Sequence, residues 1–281
     1  MITDAYRFRL YRTAARTIFP HKPVAFETGA KEMVSTMANW SDPRPAASAF
    51  GAARPGVRTD AYDAGLRRYM LSVYNYMASG VLLTGIVALL FAQSGAAASV
   101  FLSPGPLKYL IMFSPLAFIL VLSFGIHKLS TAATQATFWA FAAIMGLSMS
   151  TIFLRYTGGS IAITFFATAT AFLALSLYGY TTKRDLSAFG TFLIMGVVGL
   201  LVASLLNIWL QSSGFSLVIS AIGVLLFAGL TAYDTQRIKS MYAEVAGTDM
   251  MGKVVIMGAL SLYLDFVNMF QFLLSFMGSR D

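Results

Sequence analysis

From residue 69 to residue 277 the chain alternates long apolar runs with short polar breaks. A bilayer core takes about 20 apolar residues in helical conformation. By that ruler the pattern predicts seven membrane-spanning helices, at 69–92, 107–126, 134–154, 159–180, 188–210, 215–236 and 253–277. Glycine, proline, serine or charged residues mark the breaks. Lipid offers no partner to a backbone N–H or C=O, so the runs are expected to be helices gathered into one bundle. The fold class that follows is an all-α integral membrane protein, a seven-transmembrane-helix bundle.

Residues 1–66 read differently. They hold five of the eight prolines (Pro20, Pro23, Pro43, Pro45 and Pro55) and no apolar run long enough to span. This stretch is expected to be a polar, Pro- and Arg-rich cytosolic N-terminal tail preceding a transmembrane domain at 67–278. Its arginine-rich beginning, "YRFRLYRTAARTIF", also suits a short amphipathic helix lying on anionic lipid. No signal-peptide core with a cleavage site is present in it.

Composition agrees with the hydropathy pattern. Of 281 residues 57% are hydrophobic and only 11% charged, where a soluble domain has about a quarter charged. Mean hydropathy is +0.70. There is no cysteine, which removes disulfides and thiolate metal sites, and the two histidines, His21 and His127, are far apart in the chain. No cofactor is expected. A net charge of +8 invites a nucleic-acid reading, but eleven of the 20 basic residues precede position 69 and most others flank apolar runs. Arg67, Arg68, His127, Lys128, Lys183, Arg184, Arg237, Lys239 and Lys253 gather at one end of the bundle, and only Lys108 and Arg155 near the other. That is a topology signal, which puts the N-terminus in the cytosol and names lipid, with no nucleic acid, as the partner.

The last run carries the chemistry. In "GALSLYLDFVNMFQFLL", Gly258, Ser261, Asp265 and Asn268 fall on one helical face, and Gln271 extends the line. Leu260, Tyr263, Leu264, Phe266, Val267 and Phe270 make the rest of the helix apolar, facing lipid or apolar neighbours. An Asp at the middle of a span costs roughly 2.5–3.5 kcal/mol to insert, so it is expected to point inward to a partner or to water. The partner is expected to be Asp234 on the preceding helix, whose own stripe runs Ser220, Gly223, Thr231 and Asp234. Depths match only if that helix continues past Arg237 towards Tyr242. Two carboxylates in a low dielectric cannot both ionise cheaply, and the pair shares a proton until the pH is high. The seam then works as a proton-operated latch, with Ser261, Asn268 and Thr231 as polar support, while Asn207 reads first as part of a close-packing face with Gly196, Gly199 and Ala203 and, as the alternative, as a pore-lining residue. A cation held between Asp234 and Asp265 would be bound weakly and transiently, since calcium prefers six to eight oxygen ligands.

Two enzyme motifs fail. "GTDMMGKV" approaches a phosphate-binding loop, but Val254 stands where Ser or Thr must hold magnesium, and no strand precedes it. An intramembrane aspartyl protease would use a Tyr-Asp and a Gly-x-Gly-Asp on neighbouring helices. Tyr233-Asp234 fits the first, whereas Leu262-Tyr263-Leu264-Asp265 lacks both glycines. Proteolysis is kept as the lesser alternative, and the chain is not expected to be an enzyme.

"ALSLYLDFVNMFQFLL" (259–274) and "YDTQRIK" (233–239), supported by "GLRRYMLSVYNYMASGVLLTG" (65–85) and "SLYGYTTKRDLSAFGTFL" (176–193), resemble the Bax inhibitor-1 family and its bacterial YccA-like branch. The resemblance covers 65–277. It implies a last helix at the centre, wrapped by the other six, in a bacterial inner membrane. It further implies a pH-sensitive calcium leak controlled by the aspartate pair onto which Asp234 and Asp265 fall, with calcium as the transported ion. A basic latch residue near the end of the second helix belongs to that mechanism, and the matching stretch "GIHKLS" offers Lys128 or His127. The bacterial branch also implies the alternative of a non-conducting modulator of a membrane protease such as FtsH.

Overall fold

A computed structural model of the protein describes residues 55–279, and residues 55–59 by their backbone alone. The arginine-rich stretch expected to lie on lipid, with the rest of the expected tail up to residue 54, falls outside the described residues. Helix α1 runs Pro55–Gln93, α2 Ala96–Phe101, α3 Leu107–Gly125 and α4 Thr131–Met149. A 3-10 turn, Ser150–Leu154, extends α4, and α5 Gly158–Thr181, α6 Ser187–Leu210, α7 Ser213–Val245 and α8 Met251–Met277 complete the bundle. All but α2 are long and apolar enough to cross a membrane, and the seven spans fall where the hydropathy pattern puts them. Helix α1 begins earlier than its apolar run because Pro55 opens it, at the position where a missing N–H costs nothing. Ser130, Thr157 and Ser212 cap α4, α5 and α7 by accepting from backbone N–H groups three residues on.

Helix α8 is the hub. It packs against α7, α1, α5 and α4, whereas α3 rests mainly on α4 and α6 mainly on α7. Some 67% of α8's apolar stretch is buried, against 11% of α3's, so the last helix is central. Its apolar face therefore meets protein and not lipid. Leu260, Tyr263, Phe266, Val267 and Phe270 are all buried. Tyr263 stacks edge-on against Phe138 and Phe141, and Phe266 against Phe165 and Phe172. Helix α8 also runs the full height of the bundle. Its end is fastened to the start of α5, where Ser279 N–H donates to Ser160 Oγ (2.9 Å) and Thr157 N–H donates to the Ser279 carbonyl (3.3 Å).

Close approach of helices follows the small residues. Around Gly146, a Cβ would lie 2.7 Å from the Thr84 carbonyl oxygen, which sets α4 against the α1 backbone. A Cβ on Gly179 would collide with the Ala232 carbonyl, so α5 and α7 touch main chain to main chain. On α6, Gly196 is pressed against Leu226, while Gly199 is exposed and faces open space.

These contacts predict opposite outcomes for two conservative changes. Gly179→Ala must push a carbonyl away and is expected to lower stability by about 1–3 kcal/mol, whereas Gly199→Ala leaves it unchanged. Unfolding of the purified protein by denaturing detergent distinguishes the two. Equal stability of both variants would contradict the packing described.

Candidate functional site

The seam lies between α7 and α8, and three contacts fix its register. Gly258 faces Ile238, whose Cγ2 would lie 3.2 Å from an added Cβ. Gly223 faces the Phe272 ring, and Ser220 Oγ donates to Ser275 Oγ at 3.0 Å. The helices are antiparallel. Seven residues on from Gly258 is Asp265 and seven back from Ile238 is Thr231, so Thr231 stands level with Asp265. Asp234 lies one turn nearer the start of α8, ~4.5 Å along the axis. The condition set by the sequence is met because α7 continues through Arg237 and Tyr242 to Val245.

Asp265 is 4% exposed. Its Oδ2 is sealed from solvent with no hydrogen-bond partner among the described residues. Asp234 is half-buried, and its charge acts on Asp265 directly. Ionising both carboxylates here sets two like charges against each other where little water screens them. The helices thus bring together the two acids and Thr231, which is fully buried and donates to the Phe227 carbonyl (2.8 Å). Ser261 and Asn268 are half-buried on the same α8 face, and the Asn268 amide donates to the Leu264 carbonyl of its own helix (2.8 Å). Among the described residues no group of three His, Cys, Asp or Glu side chains comes together.

Other residues singled out by the sequence stand elsewhere. Asn207 lies near the far end of α6, in a cavity of about 270 Å³ that it lines with Ser204, Ser216, Ser220, Gln271 and Ser275. Its Oδ1 is buried there without a hydrogen-bond partner among the described residues. A second cavity of about 330 Å³, on the other flank of Gln271 and Ser275, is lined by Ser148, Thr151 and Arg155. Both cavities open at the far end of the seam, beyond the aspartate pair, where Gln271 stands six residues or ~9 Å along α8 from Asp265. His127 and Lys128 are exposed in the turn after α3. That turn is tied to the beginning of α8, where Lys253 Nζ donates to the Ile126 carbonyl (3.2 Å). Lys253 precedes Asp265 by twelve residues, ~18 Å, so neither basic residue is brought to the pair.

Arg237 follows Asp234 by three residues on α7, which puts a cation on the same side of the helix as that acid. Sequence reasoning passed over it, although that spacing on one helix is itself the signal. Tyr263 was read only as apolar, yet a tyrosine inside a span needs a partner for its hydroxyl. It donates to Thr84 Oγ1 (2.7 Å), which donates in turn to the Ala142 carbonyl (2.7 Å). A second relay, from Tyr74 to Ser176 (2.6 Å) to Thr235 (2.9 Å) to the Thr231 carbonyl (2.7 Å), joins α1 and α5 to α7 beside the seam.

The chain is similar to known membrane proteins and to others without a described role. The family described as "Inhibitor of apoptosis-promoting Bax1" matches residues 66–281. The inner membrane protein YbhL of Escherichia coli (strain K12) is 46% identical over 219 residues, 77% of this chain and 94% of that protein. An uncharacterized protein of Rickettsia prowazekii is 47% identical over 220 residues, covering 78% of this chain and 92% of its own length. One from Caulobacter vibrioides is 46% identical over 240 residues, covering 80% and 94%.

Because the chain has no cysteine, the seam can be tested by pairs of introduced thiols. Asp234→Cys with Asp265→Cys is expected to cross-link through a short bifunctional thiol reagent, as is Ser220→Cys with Ser275→Cys, whose hydroxyls touch. Lys128→Cys with Asp265→Cys is expected not to. Mobility on a denaturing gel after cleavage between α7 and α8 reads the result. A serine pair that links while the aspartate pair does not would separate the two acids.

Proposed function

We propose that this chain, which belongs to the family described as the inhibitor of apoptosis-promoting Bax1, is a passive, pH-sensitive leak for cations, calcium first among them. The observation that carries the reading is a sealed carboxylate, Asp265, with an unpartnered oxygen and a second acid acting on it from the neighbouring helix. An ionised carboxylate buried without a partner costs several kcal/mol. Asp265 must therefore hold a proton, share one with Asp234, or take a cation. Protonated, the pair keeps α7 and α8 together. Ionised, it either drives them apart or is neutralised by a passing cation. Few charged oxygens are offered, so the ion is held briefly, as conduction requires. Neutral oxygens at Asn207, Ser216, Ser220, Gln271 and Ser275 give that ion an approach from the far end, and Ser261, Asn268 and Thr231 supply polar support at the pair. Arg237 takes the role of the basic counterweight in place of Lys128 or His127, since it stands on the same side of α7 as Asp234.

The protein acts without enzyme chemistry or a resident cofactor in this reading. A protease built on the same acids needs room for a substrate strand beside Asp265, and Leu262 and Tyr263 are fully buried there. Residence in a bacterial inner membrane, N-terminus in the cytosol, accords with YbhL and with the basic residues at one end of the bundle. Partnership with a membrane protease is the second functional reading, and it needs no conduction at all.

Calcium flux into proteoliposomes across a pH series tests the leak. Wild type is expected to conduct with a marked pH dependence, and Asp234→Asn and Asp265→Asn to flatten it while unfolding at the wild-type temperature. If both variants keep the wild-type profile, the acids are not the gate. A folded wild type that passes no cation at any pH would overturn the leak, and co-purification with a membrane protease would then favour the modulator.

A further inference from the structure

At the basic end of the bundle, the break between α5 and α6 and the last turns of α7 enclose a cavity of about 290 Å³. Three cations face it, Lys183 and Arg184 from the break and Arg237 from α7, together with the hydroxyl-bearing Ser187, Tyr233 and Ser240, and one acid, Asp185. The formal balance is three positive charges less one, or +2. Two other basic residues at this end are engaged by the protein. Lys239 Nζ donates to the Tyr180 carbonyl (2.7 Å) and sits over its ring, and Lys253 holds Ile126. Among the described residues, the side chains of Lys183, Arg184 and Arg237 make no hydrogen bond or ion pair. The walls, in contrast, are held firmly. Gln236 grips the break at two points, its Oε1 accepting from Leu186 N–H (2.9 Å) and its Nε2 donating to the Arg184 carbonyl (2.7 Å). Gly190 lets α6 press onto the Tyr233 ring, where a Cβ would collide.

We propose that this cavity binds a phosphate group, carried by the headgroup of an anionic phospholipid or free in solution. Two arginines and a lysine around one volume match phosphate oxygens in charge and in forked donor geometry. The cavity also lies where α5 ends and α6 begins, two helices long and apolar enough to cross a membrane, and a break between spans is where a chain meets headgroups. Asp185 favours the lipid source. Its carboxylate accepts from Ser187 N–H (2.9 Å), and hydrogen bonds from Ser187's side chain and backbone hold it below the usual carboxylate range, so it stays ionised. An acceptor beside three cations suits a headgroup that carries a hydroxyl next to its phosphate, and it repels bare phosphate. None of this depends on whether the seam conducts.

Native mass spectrometry of the full chain in detergent micelles tests the proposal, with phosphatidylglycerol and phosphatidylcholine of equal chain length as probes. Phosphatidylglycerol is expected to be retained preferentially. The Lys183→Gln, Arg184→Gln, Arg237→Gln triple variant should lose that preference by roughly tenfold or more, and Arg68→Gln, an exposed cation at the same end, should keep it. Inorganic phosphate in competition separates the sources: retention of the lipid assigns the headgroup, and displacement with binding of phosphate itself assigns the free ion. Equal retention of the two lipids with no binding of phosphate, or a triple variant indistinguishable from wild type, would overturn the proposal.

Discussion

A carboxylate oxygen without a donor, in the helix that the rest of the bundle encloses, is the constraint on which this structure turns. Burial of a polar group is tolerated when hydrogen bonds replace those lost to water. The hydroxyls around the seam meet that demand on their own helices, Thr231 on Phe227 and Thr235 on Thr231. Asp265 has no such recourse at Oδ2. Its charge state is therefore tied to what stands opposite it, and Asp234 stands one turn away on the neighbouring helix. Stability and occupancy of the seam become a single quantity.

The two sides of α8 are built unequally. Towards α1 and α4 it is locked by the Tyr263–Thr84–Ala142 relay and by rings packed edge to face. Towards α7 it presents Gly258, Ser261, Asp265, Asn268 and Ser275, small or polar residues that let the two helices pack closely along their length, with Gly258 against Ile238 and Gly223 of α7 against the Phe272 ring.

Much of this was legible in the sequence. Seven runs of bilayer length, broken by glycine, proline and charge, give the spans, because in lipid hydropathy dominates the choice of structure. The stripe through Asp265 follows from helical spacing alone, and the absence of a helix breaker in "TQRIKSMYAEV" allows α7 the length that its acid requires. Periodicity does not tell a lipid-facing apolar face from a protein-facing one, so the ring-packed side of α8 emerged only from the fold. Nor does it order the helices around the hub. Asn207 and the basic turn after α3 stand apart from the acids for that reason, and Arg237, three residues from Asp234, went unremarked among the topology signals.

Helix α5 meets α7 main chain to main chain at Gly179, through the Ser176–Thr235 hydroxyls and through Lys239. All three rivets lie within five residues of Asp234 on α7. Gln236, two residues beyond that acid, has both ends of its amide fixed to the break that follows α5. Asp234 is accordingly mounted on a stiff lever whose other arm is a loop at the membrane surface. A displacement deep in the bilayer must be delivered, almost undamped, to the water's edge, and a push on that loop must be felt at the buried acid.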